Sequence, residues 1–263
     1  MNGLLGYMFD AARFYDGLAR DYHLIFGDWR GSVIRQGKIL DRIIRVQTKK
    51  RARSVLDCSC GIGTQAIGLA LRGYNVRGTD LSRAAVRRAR REAKSFGLSI
   101  RFGVADFRAL ESQVAGVFDV VVSCDNSLPH LLRTKDLGLA VRSMHAKLRM
   151  GGLLLITMRD YDQIAKERPR VTPISVIDNP KGRRISFQVW DWTKNGRTYV
   201  LHHFILQEGR GSWQVAHRVA EYRALLREET SKLLRKAGFT DIRWQMPSET
   251  GYYQPLVTAR KGH

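Results

Sequence analysis

Apolar residues recur along this chain with two periods, and the changes of period mark its elements. Over 32–46 they fall at Val33, Ile34, Ile39, Leu40, Ile43 and Ile44, a helical spacing. The stretch 1–20 also suits an amphipathic helix, carried by Asp10, Ala11, Arg13, Phe14, Tyr15, Leu18 and Ala19 and weakened at Gly17. The connection at 21–29 is aromatic-rich, with Tyr22, Phe26 and Trp29 around a turn at Gly27, and suits either a core or a lid. From Val55 onward short apolar runs alternate with longer helical patterns. Strands are predicted at 55–56, 75–79, 100–104, 118–124 and 153–157. Helices are predicted at 65–71, 82–96 (capped by Ser82, stopped by Gly97) and 135–148. Alternation of this kind implies a parallel sheet with helices on both faces.

After Arg159 the pattern changes. Strand-like runs at 185–190, 198–206 and 212–222 are separated by Lys194-Asn195-Gly196 and by Glu208-Gly209-Arg210-Gly211, and Asn-Gly between such runs signals a hairpin. Three antiparallel strands are therefore expected as a cap on the carboxyl edge of the sheet. A helix at 228–236, ended by Gly238, and strands at 241–246 and 255–260 close the chain. The predicted fold is α/β: a doubly wound, seven-stranded, mostly parallel sheet with an antiparallel β insertion and an N-terminal helical lid. The expected division is a lid at 1–46, a core from 47–160 and 225–263, and an inserted cap at 161–224.

With 263 residues and 44% hydrophobic composition, the chain can bury one sizeable core, or one core with an inserted cap. No apolar run approaches the ~20 residues of a membrane span. Residues 1–15 contain Asp10 and no long apolar run after a basic start, so no clear secretory signal is read there. Three cysteines point to thiols in a reducing compartment, and a cytoplasmic location is expected. Cys58 and Cys60 have no second cysteine pair, so no metal is expected. The net charge of +21 attracts nucleic acid or anionic surfaces without specifying either. The densest basic runs are Lys49-Lys50-Arg51-Ala52-Arg53 and 83–91, where Ala84, Ala85, Val86 and Ala89 alternate with arginines at helical spacing. That second run reads either as a solvated helix face or as a nucleic-acid surface.

The stretch 54–64 organises the candidate chemistry. The apolar pair Val55-Leu56 ends a strand on Asp57, and Cys58-Ser59-Cys60-Gly61-Ile62-Gly63-Thr64 leads into a helix. A strand, a glycine turn and a helix form a crevice where backbone approaches a ligand closely. A second strand ends on Asp80, where a carboxylate can accept both hydroxyls of a ribose; the alternative is a helix-start acid beside Ser82. The G-x-G-x-x-G of dinucleotide enzymes is absent, because Gly68 falls one position too late. Asp57 also suits a cation better than a pyrophosphate. S-adenosylmethionine carries a sulfonium and an ammonium and no phosphate, so the turn favours a methyl donor. Asp106 and Phe107 end the third strand, as an adenine contact or as a turn acid and a core ring.

Cys124-Asp125-Asn126-Ser127-Leu128-Pro129-His130 follows the fourth strand, facing the reacting centre of such sheets, without the D/N-P-P-Y/F motif of nucleic-acid amino methylases. His130 reads as a base or as a packing residue. Cys124 has no obvious activating partner for a nucleophilic role. Arg159 leaves the fifth strand, to hold a carboxylate by a two-pronged pair or to make an ion pair with Asp160 or Asp162.

Assembled, these residues resemble class I S-adenosylmethionine-dependent methyltransferases, and more narrowly the glycine and glycine/sarcosine N-methyltransferases. The resemblance runs over nearly the whole chain. It is carried by Phe14-Tyr15-Asp16-Gly17-Leu18-Ala19 and 22–29 as a lid, by 55–64, by 125–131, by Gly151-Gly152 through Arg159-Asp160-Tyr161-Asp162, and by Tyr252-Tyr253-Gln254-Pro255. It implies S-adenosylmethionine as cofactor, leaving as S-adenosylhomocysteine, with no metal. It implies cofactor contacts from Tyr22, Trp29, Asp57, Ser59, Gly61, Gly63, Asp80, Leu81, Asp106, Phe107 and Cys124. The lid arginine that holds the donor's carboxylate in the animal enzymes falls on Ser32 here, and Arg35 stands one turn on. Tyr15, Asn126, Arg159 and Tyr222 are implied at the reacting centre, with Arg159 on the acceptor's carboxylate. The expected partner is a small-molecule amine resembling glycine or sarcosine. The alternatives are a natural-product amine or hydroxyl, RNA, and a basic protein that merely retains the fold. A homo-oligomer is compatible with all of these.

Overall fold

A computed structural model describes residues 11–178 and 182–262. The first half of the expected N-terminal helix, 1–10, lies outside them, as do 179–181 between two inserted strands. Helix α1 (Ala11–Leu18) carries the rest of that segment, and α2 (Trp29–Gln47) starts on Asp28, whose carboxylate accepts the Gly31 N–H at 2.9 Å. The alternating part runs β1 (Ser54–Asp57), α3 (Thr64–Ala70), β2 (Asn75–Asp80), α4 (Arg83–Ser95), β3 (Arg101–Val104), α5 (Leu110–Gln113), β4 (Phe118–Ser123), α6 (Thr134–Ala146) and β5 (Leu148–Thr157). Next come α7 (Tyr161–Glu167), β6 (Ser175–Ile177), β7 (Arg184–Trp192), β8 (Thr198–Glu208) and β9 (Trp213–Arg223). The chain closes with α8 (Arg227–Lys236), β10 (Phe239–Gln245), α9 (Pro247–Thr250) and β11 (Leu256–Lys261).

Seven strands form one sheet in the order β10-β11-β5-β4-β1-β2-β3, parallel except at β11, which runs antiparallel to β5 and to β10. From β1 the chain winds outward through β2 and β3, then returns to β4 on the other side. The switch point, where such sheets open a crevice at their carboxyl ends, therefore lies between β1 and β4. Apolar side chains cover both faces, as a doubly wound sheet requires. Leu56, Val121 and Leu154 pack on Leu137, Val141 and Met144, while Val55, Val120 and Leu155 pack on Val33, Leu40 and Ile67.

The inserted sheet has four strands, β6-β7-β8-β9, where three were expected. The extra strand, Ser175–Ile177, is short and largely exposed, so it leaves no alternation for a sequence pattern to reveal.

Gly68 does pack closely, but against a helix rather than a strand. A methyl at Gly68 would sit 2.5 Å from the Val33 carbonyl oxygen, and one at Gly37 would sit 2.5 Å from the Gly68 carbonyl. Bare backbone at both positions lets α2 and α3 touch. Gly68→Ala is expected to destabilise the fold by about 3 kcal/mol, because the overlap is with backbone that cannot rotate away. Urea unfolding reads this as a lower midpoint at unchanged slope, and a loss under about 0.5 kcal/mol would mean that the two helices separate freely.

Candidate active site

Two cavities meet at the crevice. The smaller, about 240 Å³, lies over the glycine turn and is lined by Ser59, Gly61, Asp80, Leu81, Asp106, Phe107 and Cys124, among others. The larger, about 550 Å³, lies between the N-terminal elements, the inserted sheet and the Tyr252-Tyr253 loop. Tyr15, Tyr22 and Asp125 line both and so form the wall between them.

The turn is built by left-handed backbone at Gly61 (φ 51°) and Gly63 (φ 99°), which a side chain would strain. Asp80 fixes its shape. One carboxylate oxygen accepts the Gly61 N–H at 2.8 Å and the other accepts the Ser82 N–H at 2.9 Å. The Leu81 backbone also hydrogen-bonds this carboxylate, which lines the smaller cavity. Burial, followed by the charge of Asp16, raises the pKa of Asp80 against these hydrogen bonds. Asp16 brings the lid here, because its carboxylate accepts from the Ser82 hydroxyl at 2.5 Å and from the Ala84 N–H at 3.0 Å, docking α1 on the start of α4.

Asp57 lies at the end of β1 and lines neither cavity. It is fully buried, and its Oδ2 has no hydrogen-bond partner among the described residues. Burial, with the nearby charges of Asp80 and Asp125, pushes its carboxyl up to about 8. A bound cation would relieve that destabilised charge, as an ammonium would and a phosphate would not.

Backbone geometry is tightest after β4. Asp125 (φ 57°) and Asn126 (φ 68°) are consecutive non-glycine residues in the left-handed region, a strain that persists only where neighbours enforce it. The Asp125 N–H is held by the Thr157 hydroxyl at 2.9 Å and the Asn126 N–H by the Thr157 carbonyl at 3.2 Å. The Asp125 carboxylate accepts from Gln65 at 2.7 Å and from the Tyr253 hydroxyl at 2.5 Å, and the Tyr252 hydroxyl lies 2.7 Å away. Asn126 accepts the Arg159 N–H at 3.1 Å and donates to the Tyr161 hydroxyl at 3.0 Å.

Arg159 reaches into the larger cavity. Its guanidinium donates to the Tyr199 hydroxyl at 2.8 Å and to Gln188 Oε1 at 3.0 Å, and stands over the rings of Trp190 and Tyr222. No carboxylate pairs with it among the described residues. Asp160 and Asp162 pair with Arg227 instead, so the ion-pair alternative for Arg159 is not realised. Burial opposes its charge, but the surrounding Tyr199, Tyr161 and Tyr222 hold it protonated. A buried cation among neutral partners is an anion-binding group.

Two histidines stand near this cation. Tyr15 Oη lies 3.0 Å from His130 Nε2, and the His130 ring also bonds the Glu221 backbone. A backbone carbonyl takes the ring's N–H, so Nε2 accepts the Tyr15 proton, while the Tyr222 hydroxyl donates to the Tyr15 oxygen and leaves it one lone pair. Burial, then the charge of Arg159, lowers His130 to about 3, and the same causes lower His203 to about 4. Both are neutral near pH 7, and His130 is a weak base. The unfolded chain protonates them first, so their contribution to stability is present above about pH 6.5 and is lost as pH falls from there toward 4. The wild-type chain is expected to lose about 2 kcal/mol more than His203→Gln between pH 7 and 4.5 in urea unfolding. Equal losses would place His203 in contact with water.

The remaining expected residues are placed as follows. Phe107 and Leu81 line the smaller cavity, and Asp106 does so with both carboxylate oxygens held by Arg108 at 2.6–3.0 Å. Burial raises the Asp106 pKa, but the hydrogen bonds and charge of Arg108 outweigh this and hold it below the usual carboxylate range. Cys124 lines the smaller cavity with its thiol pushed well up by burial, so it carries no thiolate. Arg35 lines the larger cavity and donates to the Ser32 hydroxyl at 2.8 Å. Tyr222 is buried there against His130 and Tyr199.

Trp29 and Gly63 line neither cavity. The Trp29 indole donates to the Thr64 hydroxyl at 3.0 Å with its ring edge-on to Phe96, supporting the turn from behind. The sequence did not single out Gln65, Asp125, Gln188 and His203, which all line the site.

Known proteins resemble this chain in sequence and in fold. Residues 55–152 match a methyltransferase domain family. A glycine/sarcosine N-methyltransferase of Parasynechococcus marenigrum (strain WH8102) is 34% identical over 137 residues, covering 52% of this chain and 48% of that protein. The glycine N-methyltransferase of Homo sapiens is 30% identical over 197 residues, covering 70% of this chain and 62% of that protein. The chain thus spans about half to three-fifths of the length of these relatives. Among solved structures, the amino pentose methyltransferase CalS10 of Micromonospora echinaspora superposes with a TM-score of 0.72 at 21% identity, over 89% of this chain and 93% of that one. Streptomyces venezuelae DesVI gives 0.71 at 20%, over 88% and 92%; identities this low speak for the fold alone. Residues 55–152 thus match a methyltransferase domain, within a chain that has the fold of these solved methyltransferases and resembles the glycine and glycine/sarcosine N-methyltransferases.

Proposed function

We propose that this chain transfers a methyl group from S-adenosylmethionine to the amine of a small carboxylate-bearing molecule of the glycine or sarcosine type. The observation that carries this reading is the buried Arg159, a cation without a carboxylate partner among the described residues, in a cavity that shares a wall with the one Asp80 lines. In this reading 1–46 is the lid, 47–160 with 225–263 the donor-binding core, and 161–224 the acceptor cap.

Asp80, with Leu81 beside it, holds the ribose. Phe107 packs on adenine, and Asp106, braced by Arg108, stands at its edge. Ser59 and Gly61 receive the methionine end, with Tyr22, Arg35 and Cys124 around it; Asp57 acts on it as a buried carboxyl behind the turn, Gly63 through the shape of the turn and Trp29 through Thr64. The partnerless oxygen of Asp57 supports an ammonium there.

When bound, the donor supplies a methyl group already activated by its sulfonium. The protein's task is then mainly orientation, which is worth roughly 7–11 kcal/mol in well-aligned reactions. Arg159 fixes the acceptor's carboxylate, and Asn126 fixes the Arg159 backbone. Tyr15, its proton held by His130, offers its one remaining lone pair to the amine, while Tyr222 hydrogen-bonds the Tyr15 oxygen and closes the cavity above. The amine enters unprotonated, so no strong base is required, in keeping with the weak basicity of His130.

A second reading is a larger amine of the natural-product kind. It is favoured by the 550 Å³ volume and by Phe14, Leu18, Ile25, Ile39 and Leu201 on the walls, which a small amino acid leaves unfilled. Methyl incorporation from labelled donor into glycine, sarcosine, dimethylglycine, larger amino acids, amino sugars and RNA separates these possibilities. Turnover is expected on a carboxylate-bearing amine. Incorporation into RNA alone would overturn both readings and account for the basic charge.

A further inference from the structure

The candidate active site occupies the carboxyl end of the parallel strands, and cations gather at the opposite, amino end. Lys49, Lys50 and Arg51 fill the connection from α2 to β1, and Arg53 leads into β1. Arg72 precedes β2, Arg101 opens β3 and Arg149 stands near the start of β5. All of these are exposed. The carboxylates at this end are few and largely claimed. Asp41 is buried and shared by Arg45 and Arg72. Asp119 accepts from the Ser54 N–H and hydroxyl as well as from Arg149. Asp241 lies 3.9 Å from Arg260, and Glu111 accepts from Ser143 on α6. Lys49, Lys50, Arg51, Arg53 and Arg101 pair with no carboxylate among the described residues, so a surplus of positive charge is left at this end.

Exposed apolar side chains stand among these cations. Val46, in the last turn of α2, is 74% exposed, and Met150, next to Arg149, is 58% exposed. Leu71 precedes Arg72 and Val117 precedes β4, and both are exposed too. Met150 is put forward by a break in register. Phe118 pairs with Leu148 and Val120 with Leu153, so 149–152 bulge opposite Asp119 alone, with Gly151 in left-handed backbone (φ 69°). Lys49 (φ 48°) and Lys50 (φ 61°) are also left-handed, a conformation costly for lysine. The Lys50 N–H holds it by donating to the Arg45 carbonyl at 2.9 Å. Lys49, Arg51, Arg149, Met150 and Arg260 line a cavity of about 530 Å³ between these two irregularities.

We propose that this end of the molecule docks on an anionic lipid surface, with a phosphate headgroup in that cavity and Val46 and Met150 entering the headgroup layer. A cation held near such a surface gains about 1 kcal/mol, and stable attachment takes an apolar signal in addition to a basic one. Both signals are present here on one end. The exposed apolar side chains do not suit a nucleic acid as well, because none of them is aromatic and single strands are held by stacking on rings. Tyr74, the ring beside Arg72, has its hydroxyl tied to Asp41 at 2.9 Å. Strands of six residues, such as β4, separate the two ends of the sheet by roughly 20 Å. Docking therefore leaves the two cavities of the candidate active site turned away from the lipid and open to a soluble acceptor.

Co-sedimentation of the full chain with vesicles tests this. Vesicles of phosphatidylcholine with about 30% phosphatidylserine are expected to bind at least about 100-fold more tightly than phosphatidylcholine alone, and less tightly as salt rises. Lys49→Glu with Arg51→Glu is expected to weaken that binding by at least about 100-fold. Met150→Ser, which leaves the charge unchanged, is expected to weaken it about tenfold. Arg83→Glu with Arg87→Glu makes the same change of charge on the exposed side of α4, away from this end, and is expected to cost less than about fivefold. All three variants are expected to keep the far-ultraviolet circular dichroism and the methyl-donor binding of the wild type. Equal binding to neutral and anionic vesicles overturns the proposal. So does a loss in the α4 variant as large as in the Lys49 and Arg51 variant, which would mean that net charge alone attracts the vesicles. Binding of single-stranded RNA through Lys49 and Arg51, by a chain that ignores the vesicles, overturns it as well.

Discussion

Asp80→Ala is expected to weaken binding of S-adenosylmethionine by at least about 100-fold, equivalent to about 2.7 kcal/mol. The carboxylate does two jobs at the end of β2. It ties the glycine turn to the start of α4 through the Gly61 and Ser82 N–H groups, and it lines the smaller cavity. Alanine removes both, leaving two backbone donors without partners and no acceptor for ribose hydroxyls. Unpaired buried donors cost about 1–3 kcal/mol each, so some loss of stability accompanies the loss of affinity. Asp80→Asn separates the two effects. It keeps one acceptor oxygen but turns an NH₂ toward an N–H, so both affinity and stability are expected to fall between wild type and alanine. Calorimetric titration reads the affinity and thermal unfolding reads the stability. Donor affinity within threefold of wild type in the alanine variant would remove Asp80 from the donor site.

Arg159→Ala is expected to lower kcat/KM for a carboxylate-bearing acceptor by roughly 30- to 5,000-fold, the equivalent of about 2–5 kcal/mol for one member of a buried charged pair. The larger share is expected in KM, because the guanidinium holds the acceptor in ground state and transition state alike. Donor affinity is expected to change little, since Arg159 does not line the smaller cavity. Arg159→Lys keeps the charge but loses the fork that reaches Tyr199 and Gln188 together. Its activity is expected to lie between the two, nearer to alanine. Undiminished turnover of a carboxylate acceptor by the alanine variant would reject the assignment.

The two residues behind these predictions were legible in the sequence for the same reason. Asp80 and Arg159 end or follow apolar runs, and in a parallel sheet the ends of such runs converge on one rim. The alternation of runs and helical patterns likewise disclosed the doubly wound sheet, and the Asn-Gly turn disclosed the inserted hairpin. What was not legible depends on distance and register. Gln188 and His203 reach Arg159's cavity only because β7 and β8 pair with one particular offset, and no local pattern fixes that offset. Arg108 claims the Asp106 carboxylate through a side-chain rotamer, and spacing alone does not decide it. The family resemblance implied Trp29 as a cofactor contact, whereas its indole bonds Thr64 behind the turn and lines neither cavity. The strain at Asp125 and Asn126 left a partial signal, since Asp and Asn are the side chains that best tolerate left-handed backbone.

The central claim is that the cavity over the glycine turn holds the nucleoside of the methyl donor. A crystal structure with S-adenosylhomocysteine tests it most directly. The account predicts both ribose hydroxyls within hydrogen-bond distance of the Asp80 carboxylate, adenine against Phe107, and the product's ammonium at the Asp57 end of the turn. A nucleoside bound elsewhere, or Asp80 turned away from it, would contradict the account.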